Sequence, residues 1–168
     1  MKKLFIFLLL FSFICGYTIC LYAQQPQKPI VYMIGDNIKN DIQLNTKLLN
    51  MTFDINKVFM NKPALVVAVM TTCPFCKKEL EYLSTVYTEY YGLFNIIVAV
   101  ADWANVNNIR TTYGDSFIYI PAVISNLKKV SSVPYNVFAL KTGEIVDIHQ
   151  GMLKPDDFKQ KINLIINK

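Results

Sequence analysis

The chain has 168 residues, enough for one domain with a sizeable core; 53% of them are hydrophobic and only 17% are charged. This composition excludes a disordered tail and an acidic solvating segment. The formal net charge of +5 comes from scattered lysines, two of them at the amino terminus, with Arg110 as the only arginine. So mild and diffuse a charge argues against nucleic-acid binding.

Residues 1–23 have the features of an export signal. Two lysines precede an uncharged, mostly apolar run over residues 4–22, and Ala23 offers a small residue for cleavage. A retained membrane anchor and a lipoprotein anchored at Cys15 or Cys20 are the alternatives. All three place the lysines inside and carry the rest across the membrane, so we expect a periplasmic or otherwise exported domain.

The segment after the signal predicts an extension of residues 24–43 in front of a main domain of residues 44–168. Residues 24–29 are polar and typical of a linker, whereas residues 30–34 form a short apolar run that predicts a strand. The polar residues 35–62 predict turns and a hairpin. The fold prediction therefore includes an amino-terminal strand or hairpin.

Two uninterrupted apolar runs, residues 64–70 and 94–101, predict central strands that are buried on both faces. The first runs into the motif Cys73-Pro-Phe-Cys76, after which leucines and tyrosines recur at helical spacing. Gly92 is placed to end that helix. After the second run, residues 104–113 predict another helix.

The last third of the chain predicts a short strand broken by Pro121, a hairpin of strands 135–140 and 145–149, and a final helix that begins near Pro155. Residues 126–131 predict a short helix. Alternating strands and helices followed by a hairpin are typical of an α/β fold. We expect a central mixed β-sheet flanked by helices.

The pair Cys73 and Cys76 is the feature with clear chemistry. Cys73 falls where a strand ends and a helix begins, and the free N–H groups and dipole of a helix amino terminus favour the reactive thiolate. Cys76 lies one turn further on, within reach of a disulfide with Cys73. We expect Cys73 to be the more exposed, attacking thiol and Cys76 the resolving thiol.

Three other interpretations of the pair are open. A structural zinc site wants four ligands, but His149 is the only histidine and the other two cysteines lie in the export segment. An inert structural disulfide would close a loop too short to restrain the unfolded chain. A peroxidatic site needs an activating threonine and arginine, but Met70 stands three residues before Cys73.

The chain resembles thioredoxin-fold proteins, and most of all the TlpA/ResA-type branch of exported thiol–disulfide oxidoreductases. The resemblance covers roughly residues 44–166. It rests on four features: the strand at 64–70 that enters Cys73-Pro-Phe-Cys76, the stretch Cys76-Lys-Lys-Glu-Leu80, the loop Ser132-Val-Pro-Tyr135, and the turn at 141–146 followed by Gly151.

The resemblance implies roles for individual residues. Cys73 is the nucleophile, Cys76 resolves, and the two alternate between a dithiol and a Cys73–Cys76 disulfide. Pro134 is expected to be cis and to pack against the dithiol, where the backbone of Val133 can pair with a bound peptide. Glu79 matches a carboxylate that helps to move protons, although it could equally be an ordinary exposed residue of the first turn.

The chain departs from the family in its active-site loop, which comprises Thr72, Pro74 and Phe75. Thr72 stands where the family has tryptophan, Pro74 follows the first cysteine instead of preceding the second, and Val67 replaces the buried acid of cytoplasmic thioredoxins. Phe75 offers no charge or hydrogen bond to stabilise the reduced form. We therefore favour a reductase over an oxidase.

The expected partners are exported protein thiols and disulfides, together with a membrane electron donor or acceptor. We expect a monomer that needs no cofactor, no metal and no nucleic acid. A non-catalytic thioredoxin-fold adaptor or a copper chaperone is the alternative. Sco-like copper chaperones share the fold and use two cysteines with a distant histidine, for which His149 is the candidate, but their cysteines are separated by three residues and not two.

Overall fold

A central sheet with helices on both faces makes up the part of the chain that the structure, a computed structural model, describes: residues 31–49 and 54–168. The elements follow in the order α1 (Ile38–Leu48), α2 (Ile55–Phe59), β1 (Ala64–Val69), α3 (Pro74–Glu89), β2 (Asn95–Val100), α4 (Val106–Tyr113), β3 (Ile118–Pro121), β4 (Tyr135–Ala139), β5 (Ile145–Gln150) and α5 (Pro155–Ile166). Short 3₁₀ turns span Trp103–Asn105, Gly114–Ser116, Ala122–Ile124 and Asn126–Lys129.

The sheet has the strand order β3-β2-β1-β4-β5 and is mixed, as predicted. β1 lies at its centre, parallel to β2 on one side and antiparallel to β4 on the other. All six residues of β1 and all six of β2 are buried, because helices cover both faces. The dithiol motif follows β1 directly and therefore emerges at the end of the most buried strand.

The two faces of the sheet belong to two separate apolar clusters. Val66 and Ala68 of β1 pack on one face with residues of α1 and α2. Leu65, Val67 and Val69 point to the opposite face, where they meet α3, α4 and α5. This alternation follows from the two-residue period of a strand. Cys76, at the start of α3, belongs to the second cluster.

The predicted amino-terminal strand and hairpin are wrong for the described residues. Residues 31–34 form no strand, and helix α1 follows at Ile38. The Asn37 side chain caps α1 by accepting the N–H of Asn40, and Ile38 and Ile42 are fully buried at helical spacing. Many polar residues conceal this amphipathic pattern in the sequence, and tertiary packing decides the outcome.

Helix α2, at Ile55–Phe59, likewise stands where turns and a hairpin were predicted; the Asp54 side chain caps it, and Ile55, Val58 and Phe59 are buried. The elements from β1 onwards agree with their predictions, with small shifts at their ends. Helix α3 ends at Glu89, before Gly92, which adopts a φ of 82° in the turn that follows. The predicted signal and linker lie outside the described residues, and the predicted domain boundary at residue 44 falls inside α1 and stays a prediction. Across 31–49 and 54–168, no helix is both long enough and apolar enough to cross a bilayer.

Candidate active site

Helix α3 begins at the dithiol itself. Cys73 is its N-cap, and the Cys73 Sγ atom accepts the backbone N–H of Cys76 at 3.2 Å. Pro74 occupies the first helical position, where its missing N–H costs no hydrogen bond and its fixed φ suits the helix. The sulfur in the N-cap position lies at the end of the helix where the backbone N–H groups and the partial positive charge of the helix dipole are found.

The two thiols differ in exposure, in agreement with the prediction. Both cysteines are free; Cys73 is half-buried and Cys76 is only 1% exposed. Burial raises the pKa of the Cys76 thiol to about 12, helped by its hydrogen bond with Cys73 and by the negative charge of Glu79. Cys73 is therefore the thiol that solvent and substrates can reach, whereas Cys76 needs help to lose its proton.

The loop before β4 lies against the dithiol. The Val133–Pro134 peptide bond is cis, as expected. The Cys73 thiol donates to the Val133 carbonyl oxygen over an Sγ–O distance of 3.7 Å. The Gly151 N–H donates to the Pro134 oxygen at 2.8 Å and ties the next loop to the same place. Three segments distant in sequence thus meet at Cys73.

Glu79 is buried, not an exposed residue of the first turn. Its exposure is 1%, and neither carboxyl oxygen accepts a hydrogen bond from the described residues. Burial raises the pKa of this carboxyl to about 7; the Asn136 side chain and the Leu153 N–H face it and oppose that rise. A carboxyl that titrates near neutrality beside a buried thiol can take up and return a proton under physiological conditions.

The active-site loop presents mainly apolar and small side chains to solvent. Thr72, Pro74 and Phe75 are all exposed, and Phe75 is 59% exposed. Met70 before the motif and Met152 after Gly151 also expose much of their side chains. Exposed apolar side chains on segments that border a reactive thiol suit contact with an unfolded or extended polypeptide.

A groove of about 390 Å³ opens between α3 and α4 on the Cys76 side of the motif. Cys76, Met70 and Thr72 contribute to its wall, together with Lys77 and Asn108. The groove lies next to the dithiol and is large enough for an amino-acid side chain.

Two polar residues near the motif were missed in the sequence. The Asp102 carboxylate, at the end of β2, accepts the Thr71 N–H at 2.9 Å and also the Thr71 hydroxyl. Asn136 is fully buried in β4 and donates to the Gly151 oxygen at 3.2 Å. The signal for Asp102 was its position, since the carboxyl ends of neighbouring parallel strands share one edge; the signal for Asn136 was a polar residue inside an apolar strand.

His149 lies on β5, as the sequence predicted, and pairs with Asn136 across the β4–β5 ladder. Among the described residues, no group of three histidine, cysteine, aspartate or glutamate side chains is arranged to hold a metal ion.

Comparisons with solved structures identify the fold. No family model matches the chain, and no curated protein matches it. A thio-disulfide isomerase from Thermus thermophilus superposes with a TM-score of 0.54 and 22% identity, covering 62% of this chain and 79% of its own. A secreted Mycobacterium tuberculosis disulfide oxidoreductase gives 0.55 and 20%, covering 68% and 89%.

StoA from Bacillus subtilis gives a TM-score of 0.51 and 16% identity, covering 60% of this chain and 82% of its own. These identities are low, but the strand order and the position of the dithiol at the start of the helix after the central strand agree with the resemblance noted in the sequence. The chain is therefore a protein of the thioredoxin-like fold.

Proposed function

We propose that the protein is an exported thiol–disulfide oxidoreductase that exchanges the Cys73/Cys76 dithiol with disulfides of other proteins. The observation that carries the proposal is the pairing of an accessible thiol at a helix amino terminus with a buried thiol one turn later. The Val133 carbonyl beside Cys73 supports it further, because it offers a place for a substrate backbone.

The first step is attack on a substrate disulfide. The Cys73 thiolate forms a bond to one substrate sulfur, and the substrate S–S bond breaks, so that the other substrate sulfur leaves as a thiolate and takes a proton. The product is a mixed disulfide between the protein and its substrate.

The second step resolves that mixed disulfide. Cys76 loses its proton, its thiolate attacks the Cys73 sulfur, and a Cys73–Cys76 disulfide forms as the second substrate thiolate leaves. Two electrons have then passed from the protein to the substrate. Since burial holds the pKa of Cys76 at about 12, we assign the proton acceptor to the Glu79 carboxylate, which becomes a neutral carboxylic acid in this step.

Substrate binding is assigned to the loop at Val133 and Pro134. The Val133 carbonyl already lies within hydrogen-bonding reach of Cys73, and an extended peptide that pairs there by strand addition would bring its own sulfur to the same atom. Phe75 and Met152 would then contact apolar side chains of the peptide.

The favoured direction is reduction of exported substrates, with a membrane protein as the source of electrons. Phe75 and Pro74 between the cysteines add no charge and no side-chain hydrogen bond that would stabilise the reduced form, as a strong oxidant requires. Export is supported by the signal-like residues 1–23. The related structure from M. tuberculosis is described as secreted.

Trapping tests the proposal. A Cys76→Ser variant should accumulate mixed disulfides through Cys73 when it is incubated with exported proteins of its own cell, and reducing agent should release them. A Cys73→Ser variant is the matched control, because the one thiol of the pair that it keeps is the buried thiol of Cys76. Equal trapping by the two variants, or none by either, would contradict the assigned roles.

A further inference from the structure

Asn136 occupies a position in the sheet where a polar side chain is unexpected. It lies in β4, is 0% exposed, and pairs in register with Val67 of the central strand. Val67 belongs to the apolar cluster that holds Cys76. An amide buried among such neighbours costs free energy unless its hydrogen bonds are made, so its presence calls for a specific partner.

The amide of Asn136 links two parts of the site. Its nitrogen donates to the Gly151 oxygen at 3.2 Å, and the Gly151 N–H in turn donates to the Pro134 oxygen. Gly151 has a φ of 96°, so this short connection turns sharply before it reaches Leu153. The peptide of Gly151 is thus held from both sides, by Pro134 and by Asn136.

The same amide faces the Glu79 carboxyl, and so does the N–H of Leu153. Among the described residues, the two carboxyl oxygens of Glu79 have no hydrogen-bond partner, and the Asn136 Oδ1 atom has none either. Glu79 and Asn136 are both almost completely buried, and together they carry these three unpaired polar atoms. The charge of this cluster depends on whether the Glu79 carboxyl holds its proton.

We propose that Asn136 is a positioning residue for Glu79: it anchors residues 151–153 through Gly151 and directs its amide and the Leu153 N–H at the carboxyl, so that Glu79 can exchange a proton with Cys76. The inference rests on the proposed function, in which Glu79 accepts the Cys76 proton. It adds a residue of β4 that acts through Glu79 and touches no substrate.

Several groups near Glu79 can titrate or carry charge. On its own helix these are the Cys76 thiol, on which Glu79 acts directly, and the neighbouring Lys78 and Tyr82, whereas β1 contributes apolar side chains only. His149 on β5 pairs with Asn136 and is an ionisable neighbour, so a His149→Gln variant has to accompany each measurement. Asp147 of β5 is already paired with Lys161 of α5.

The test is Asn136→Leu, which keeps the volume of the side chain and removes both of its polar ends. Without the amide, burial of Glu79 is opposed less, so the carboxyl should titrate at a higher pH, measured by carbon NMR of the labelled carboxyl group. Fewer carboxylates are then available near neutral pH. At a pH below the pKa of the Glu79 carboxyl, each unit by which that pKa rises lowers the ionised fraction about tenfold.

The second step of exchange reads out this effect. With Ellman's reagent, the reduced protein releases one thionitrobenzoate when Cys73 attacks the disulfide of the reagent, and a second when Cys76 attacks the resulting mixed disulfide at Cys73. In Asn136→Leu the second release should be about three- to tenfold slower at neutral pH and should recover in alkaline solution. The first release should be unchanged, since Cys73 keeps its own contacts.

Asn95→Leu is the matched control. Asn95 is also a buried asparagine at a strand, and its amide donates to the oxygens of Val58 and Phe59, remote from the dithiol. It should lose stability without a change in the pH profile. Asn136→Thr, which suits a strand and keeps one donor, should shift the profile in the same direction by a smaller amount and serves if the leucine variant does not fold.

Double substitution separates positioning from a purely structural role. In a Glu79→Gln background, Asn136→Leu should leave the rate of the second release unchanged, because the group it acts on is gone. An independent additional loss, or an unchanged carboxyl titration in Asn136→Leu and Asn136→Thr, would overturn the inference. If Glu79→Gln alone leaves the second release unchanged, both this inference and the role of Glu79 as proton acceptor are wrong. The dithiol exchange itself is tested separately by the Cys73→Ser variant.

Discussion

The Val133 carbonyl oxygen and the Cys73 sulfur lie 3.7 Å apart although 60 positions separate them in the chain. This contact joins the start of α3 to the loop that precedes β4, and it places a backbone carbonyl beside the more accessible thiol. A substrate that pairs with the loop would therefore meet Cys73 and not Cys76.

Cys73 should be alkylated by iodoacetamide at least about tenfold faster than Cys76 in the reduced protein at neutral pH. The reason is that Cys76 is 1% exposed and its pKa is raised to about 12, so few thiolates of Cys76 exist and reagent cannot reach them. Peptide mass mapping after timed quenching gives both rates. Equal rates, or faster modification of Cys76, would reverse the assigned roles.

Glu79→Gln should stabilise the protein in alkaline solution. The folded state holds the Glu79 proton up to a pH of about 7, whereas the ordinary value is 4.5. The folded state therefore binds more protons than the unfolded state between these values, and stability falls as pH rises through this window. Above it, the wild type should be less stable than the variant by on the order of 3 kcal/mol.

Urea unfolding at a series of pH values measures this difference. The stability gain of Glu79→Gln should shrink towards zero in acid, where both side chains are neutral. The exposed Glu81→Gln substitution on the same helix is the control and should give no such pH-dependent difference. A gain for Glu79→Gln that does not vary with pH would show that Glu79 is not a buried titrating group.

Asp102→Asn should weaken the start of α3. Burial alone would raise the pKa of Asp102, but the hydroxyl and the N–H of Thr71 donate to its carboxylate and hold the pKa below the ordinary value of 3.8. Its contribution is therefore present above this value and lost as pH falls through the lower pKa of the folded state. We expect a loss of about 1 kcal/mol at neutral pH that disappears in strong acid.

Exchange should slow as well, on the order of several-fold, because Thr71 precedes the motif by only two residues and small displacements of a reacting group are costly. Asn105→Ala, which removes a long contact of 3.4 Å to the same carboxylate, is the milder comparison. Unchanged stability and exchange in Asp102→Asn would mean that the carboxylate does not support the dithiol loop.

Gly143→Ala should destabilise the protein by about 1–3 kcal/mol. Gly143 has a φ of 90°, and a Cβ atom there would lie 2.7 Å from Lys39 Cγ and 2.8 Å from Asn37 Oδ1. The substitution would therefore push the start of α1 away from the β4–β5 turn. Gly92→Ala shares the positive φ but meets nothing within 4 Å, and it should cost less. Thermal unfolding of both variants provides the comparison, and an equal loss would show that α1 does not dock on this turn.

Much of the fold could be predicted because its signals are local. The uninterrupted apolar runs of β1 and β2 are typical of strands that are buried on both faces. The position of Cys73 between β1 and α3 follows from the end of the first run. Helix α1 could not be found in this way, because its stability comes from packing Ile38 and Ile42 against distant strands and not from a regular apolar pattern.

The candidate site was predictable to the same extent. Cys73, Cys76 and Pro134 belong to short motifs, and the structure brings them together. The burial of Glu79 and its contact with Asn136 depend on the β4 register and on the path of residues 151–153, neither of which has a local signal. The same holds for Asp102, whose partner Thr71 lies 31 positions earlier in the chain.

The redox equilibrium of the Cys73/Cys76 pair tests the central claim most directly. The described domain is equilibrated with glutathione or dithiothreitol buffers, and its free thiols are counted by alkylation and mass. We expect one reversible two-electron transition between about −270 mV, typical of thioredoxin, and about −120 mV, typical of DsbA, nearer to the first if the protein is a reductase. A pair that never forms a disulfide, or a disulfide that resists strong reductant, would contradict it.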